Sequence, residues 1–196
     1  MKSYLLLFIF LFLTNQVWGF QQWQELRLQK QKSEQTAMKI LLGWSAVSLA
    51  GSGILAANGN KNAAAMHAGW AVINAGIAGA SLLSKNKVPS SHAEYLQNEK
   101  VFNQILAINT GLDVAYVTTG LALQEMGKTK RERDFGSAIM IQGGFLLIFD
   151  IILFKKSGNR LTKGIDLITG ISRFGETGRT QSVNYSYVGF RYSLSD

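Results

Sequence analysis

Residues 137–154 read SAIMIQGGFLLIFDIILF, a run of eighteen residues with one charged side chain, Asp150. That is the length an α-helix needs to cross a ~30 Å hydrocarbon core. Working outward, three more stretches of similar character precede it: Met38–Ala57, Ala64–Leu83 and Phe102–Leu123. The 137–154 segment is the most apolar of the four and the others are only moderately so. None of them, however, carries the charged outer face at helical period that a soluble bundle requires. The expected fold class is therefore an all-α membrane protein built as an up-down four-helix transmembrane bundle over residues 38–154. Short connections favour antiparallel neighbours, and Asn58-Gly59-Asn60 is a strong turn signal between the first two segments.

The flanks divide the rest. Lys2, the apolar run Leu5–Leu13 and the small residue Gly19 resemble a secretory signal peptide over residues 1–19, cleaved before Phe20. An uncleaved anchor is the alternative. Residues 20–37 form a polar, Gln-rich lead-in compatible with a short surface helix. Residues 155–196 are expected outside the membrane, on the exported side. There Val183–Leu194 (VNYSYVGFRYSL) alternates like a strand, and Ile165–Phe174 could pair with it in a short C-terminal β-hairpin.

Composition narrows the chemistry. With no cysteine, disulfides, thiol nucleophiles and Cys-ligated metals are excluded. The net charge of +8 sits beside the apolar spans, where basic residues mark membrane flanks. The expected partner is the lipid bilayer, with a homo-oligomer or another membrane protein possible and nucleic acid not expected. The leader and the cluster Lys128, Lys130, Arg131 and Arg133 put the first and third connections in the cytoplasm of a bacterial cell (inner membrane). The lysines at the opposite ends argue against that orientation. Gly43, Val47 and Gly51, and Gly69 with Gly76, form smooth stripes suited either to an oligomer face or, the favoured reading, to packing inside one bundle.

Ionisable and amide side chains at membrane depth usually face the bundle interior. The candidates are His67, Asn74, Asn109, Asp113, Tyr116, Gln142 and Asp150. Asn109, Asp113, Tyr116 and Gly120 share one helical stripe, and His67 and Asn74 share another. Antiparallel packing should bring Asn74 level with Asp113, and His67 level with Gln142 and Thr118 or Thr119. Asp150 lies off that face, near Lys155 and Lys156, which predicts interfacial pairing and a depth different from that of Asp113. These groups could form a polar layer that fixes the bundle, or Asp113 could bind a proton or cation in a small oligomeric transporter or channel. No metal-ligand pair, nucleophile elbow, phosphate loop or dinucleotide fingerprint occurs. The expectation is accordingly a non-enzyme with no cofactor and no metal.

Four local patterns go further. They are Gly43-Trp44, His-x-Gly-Trp-x-x-x-Asn (67–74), Asn-x-Gly-x-Asp-x-x-Tyr (109–116) and Gln-Gly-x-Phe-x-x-x-x-Asp (142–150). Together they resemble an uncharacterised bacterial family of small multi-helix membrane proteins of unknown function. The likeness covers Met38–Phe154 and implies the fold type, with the seven polar positions as family features, but no activity.

Overall fold

The computed structural model describes residues 2–84 and 89–173. They form four α-helices in antiparallel succession: α1 Lys2–Ala57, α2 Lys61–Leu83, α3 His92–Met126 and α4 Lys130–Arg173. The ends follow local chemistry. At the α1–α2 turn, Gly59 takes a positive φ of 81°, Asn60 N donates to Leu55 O and Gly59 N to Ala56 O. This is the Schellman arrangement that uses up a helix's last carbonyls. Asn60 then caps α2 by accepting from Ala63 N. Helix α4 starts with a capping box and α3 with a variant of it in which the glutamate reaches one residue farther back. Ser91 Oγ accepts from Glu94 N while the Glu94 carboxylate accepts from Ser90 N. Thr129 Oγ1 and Glu132 repeat the exchange.

The helices pack as two hairpins, α1–α2 and α3–α4. Helix α4 joins them, since it alone approaches the backbones of both α1 and α2 as well as α3. The tightest crossing is between α3 and α4. A Cβ on Gly120 would lie 2.6 Å from Met140 N, and one on Gly136 would lie 2.7 Å from Gly120 O. Gly143 meets Tyr116 Cβ in the same way, at 2.8 Å. The glycines expected inside the bundle are elsewhere: a Cβ on Gly43, Gly51, Gly69 or Gly76 would meet nothing within 4 Å. Close helix approach thus rests on glycines of the second hairpin.

Each of the four helices is long and apolar enough to span a membrane, and at most 28% of any apolar window is buried inside the protein. Ile40, Val47, Val72, Ile77, Ile108, Ile148 and Ile152 face outward. Ser45, Ser48, Ser52, His67, Asn74, Asp113, Gln142 and Asp150 face inward. An apolar exterior around a polar interior inverts the pattern of a water-soluble bundle. It suits a solvent of lipid tails, in which polar groups must find partners within the protein.

At 23 residues, α2 is about 34 Å long at the usual rise. The other helices run on past its end as a three-helix extension. This overturns the expected β-hairpin: residues 165–173 are the last turns of α4, and there is no strand among the described residues. The proposed second strand, Val183–Leu194, lies outside the described residues. The physical reason is a buried face at helical spacing through Ser157, Arg160, Gly164 and Leu167, on which Glu99, Tyr95, Leu96, Trp23 and Leu26 pack. Tertiary packing overrides the β preference of the local Ile and Thr residues. Residues 20–37 likewise belong to α1 without a break, with Trp23, Leu26 and Ala37 buried.

Candidate functional site

Polar side chains occupy the interior in three successive layers. The first is centred on Gln142, which is fully buried on α4. The Trp44 indole Nε1 donates to Gln142 Oε1 at 2.8 Å. Gln142 Nε2 donates to Ser48 Oγ at 3.0 Å and meets His67 Nδ1 at 3.0 Å. Because an indole N–H can only donate, Trp44 sets which end of the amide faces it. Both amide hydrogens then point at Ser48 and His67, so His67 accepts at Nδ1 and carries its proton on Nε2. Trp44 is itself held by stacking on Phe145, with centroids 4.1 Å apart. One amide therefore ties α4 to α1 and α2 with every polar atom used. Thr118, expected at this level, bonds back to Val114 O and faces outward, so it does not join the Gln142 network.

The second layer lies farther from the α1–α2 and α3–α4 turns, between α3 and α4. Asp113 and Asp150 are both buried, and their side chains lie against each other, with Asn109 beside Asp150. Sequence spacing had separated the two acids, with Asp150 paired to Lys155 and Lys156. The lysines are instead exposed and Asp150 points inward. Asn74, on α2, is buried with its Nδ2 unpartnered, and Asp113 Oδ2 is unpartnered too. Tyr116 is half-buried and meets the Trp70 ring edge-on at 5.3 Å. An apolar layer of Ala37, Leu106 and Leu153 closes the acids off from the extension.

The third layer, in the extension, escaped the sequence reading. Glu99 is fully buried. Its Oε1 accepts from Lys30 Nζ at 2.7 Å, and its Oε2 pairs with Arg160 Nη2 at 3.2 Å and accepts from Ser157 Oγ at 2.9 Å. Tyr95 sits above it, buried against Trp23; burial and then the nearby Glu99 charge push its hydroxyl pKa upward. The signal was present: Glu99, Leu106, Asp113 and Gly120 are buried and repeat every seven residues. Following the Asp113 stripe one heptad past Leu106 leads to Glu99. Its neighbours Lys100 and Glu94 made it look like an ordinary flank charge.

The layers link side chains of different helices, and no group of three or more His, Asp or Glu residues is placed to hold a metal among the described residues. No curated protein and no solved structure matches the chain. A family of unknown function, DUF6992, matches residues 40–151, the part of the chain that holds the first two polar layers. On that match over more than half its length, the chain belongs to the DUF6992 family.

Proposed function

We propose that the protein is a non-enzymatic, multi-pass component of a bacterial cell membrane, with a structural or interaction role, in which the polar layers set helix register. The observation that carries this is Gln142. A fully buried amide with all its hydrogen bonds made across three helices is a specificity device: any register slip leaves it unsatisfied. The extension of α1, α3 and α4 is the surface best suited to a partner protein, since it projects beyond the spans and is held rigid by Glu99. Transport through Asp113 would need a path across the whole bundle, and the apolar Ala37–Leu106–Leu153 layer interrupts it on one side of the acids.

The test is Gln142→Leu in the full-length protein in vesicles. Loss of the native fold, or a second population of helix arrangements by distance measurements between spin labels, supports the structural role. A variant with parental stability and one unchanged set of distances sinks it. The proposed orientation puts both tight turns in the cytoplasm, with the leader removed. In this cysteine-free chain, single cysteines at Asn60 and Thr129 should be protected from an impermeant thiol reagent in intact cells, and one at Ser91 labelled.

A further inference from the structure

We propose that Asp113 and Asp150 form a proton-binding site, in which the two carboxyl groups share one proton while the chain is folded in the membrane. Two carboxylates both lack a donor, so the contact between their side chains is a hydrogen bond only when one carries a proton. Both are at least nine-tenths buried, 3% and 7% exposed. In such a setting two like charges side by side cannot both persist.

No cation among the described residues relieves them. From α2 the titratable group is His67, turned to Gln142; from α3 it is Tyr116, against Trp70. Helix α1 presents Ser45 and Ser48 on its buried face, and its Lys39 is exposed. On α4, Lys155 and Lys156 are exposed. The Asn109 amide lies beside Asp150, so an N–H donor is at hand for the oxygen of the pair left without the proton.

An independent observation points to the same place. Asn74 is 2% exposed and its Nδ2 has no partner. It lies one helical turn beyond Trp70, and Asp113 lies one turn beyond Tyr116 on the antiparallel helix, in the same direction from the Trp70–Tyr116 contact. An unused donor thus stands at the depth of the acid pair, opposite the helix that carries the unpartnered Asp113 Oδ2. Losing the proton would give that donor a carboxylate to bind. The site has a partner for either state, and the ligand that distinguishes them is a proton from water.

The experiment is infrared spectroscopy of the full-length protein in lipid vesicles, titrated from mildly acidic to alkaline pH. The expected result is a protonated-carboxyl band at neutral pH that disappears at high pH. Asp113→Asn and Asp150→Asn should each shift or remove it, because the shared proton loses one of its two acids, while the exposed Glu94→Gln should leave it. No such band in the parent, or one unchanged in position and intensity in both single variants, overturns the proposal. Should either variant not fold, carbodiimide modification of the parent decides. One equivalent on the Asp113–Asp150 pair, formed faster at neutral than at alkaline pH, supports the proposal; none on either residue refutes it. The structural reading of Gln142 is tested by a different residue and survives either outcome.

Discussion

At the scale of single residues, the interior is governed by which atoms can only donate. Trp44 has one N–H and no acceptor, so its 2.8 Å bond to Gln142 Oε1 orients the amide, and the amide in turn sets the tautomer of His67. Trp44→Phe keeps the stack on Phe145 but leaves Gln142 Oε1 buried without a donor. An orphaned buried acceptor costs about 1–3 kcal/mol in water-soluble proteins. Interhelical hydrogen bonds in membranes average nearer ~0.6 kcal/mol, because the unfolded chain in lipid also finds partners. Trp44→Phe should therefore destabilise by about 1 kcal/mol, read as a lower denaturant midpoint in micelles; an unchanged midpoint would mean that the hub does not hold the helices. The sequence put His67 and Gln142 at a common depth, because both interrupt apolar spans, but not in contact. Trp44 was visible only as half of a repeated Gly-Trp pair, since an indole in an apolar run gives no sign that its N–H is needed.

At the scale of elements, glycines separate the two hairpins. Gly120 and Gly136 sit where α3 and α4 backbones nearly touch, whereas Gly43 and Gly51 face open space. Gly136→Ala should push the helices apart and cost about 1–3 kcal/mol, the usual penalty for overpacking. Gly43→Ala should be neutral or slightly stabilising, as alanine is the better helix former. Thermal unfolding of the two variants side by side checks the contrast, and equal effects would contradict this packing. Sequence spacing marked Gly43 and Gly51 as a packing stripe and left Gly136 unmarked; only the positions of neighbouring backbones tell them apart. Helix starts carry a pH dependence as well. The backbone N–H groups of Thr129, then Lys128, hold the Glu132 carboxyl below its ordinary value of 4.5. A depressed carboxyl stabilises the fold above its unfolded value, and that contribution disappears as pH falls through the lower, folded value. Fraying at the start of α4, followed by amide exchange, should thus set in below about pH 4.5 and lose its pH dependence in Glu132→Gln.

At the scale of the whole molecule, the chain is two bundles in line: four helices where the exterior is apolar, then three helices beyond the end of α2. The sequence made the first legible, because apolar length and buried polar residues are composition signals that survive without coordinates. The second was hidden, since residues 20–37 and 155–173 look like ordinary charged flanks until Lys30, Glu99 and Arg160 are seen in contact. Those contacts also explain why residues 165–173 continue as helix, for only a helix keeps Arg160, Gly164 and Leu167 on one face toward Glu99, Leu96 and Trp23. The weight of the arrangement falls on one carboxylate. Glu99 is fully buried between Lys30 and Arg160, whose side chains are themselves only 13% and 7% exposed. A buried ion pair adds little net stability over an apolar replacement, but removing one partner strands a buried charge, here Arg160, since Lys30 keeps Glu34 at 2.9 Å; the typical cost is about 3–5 kcal/mol. Glu99→Gln should accordingly loosen the extension by about that much while leaving the Gln142 layer intact. Amide exchange would show it as lost protection around Trp23, Tyr95 and Leu167 with protection retained around His67 and Gln142. Replacing Lys30, Glu99 and Arg160 together by Met, Leu and Met should recover most of the loss, because no buried charge is then left without a partner. If Glu99→Gln instead unfolded both regions at once, the extension and the four-helix part would be one cooperative unit.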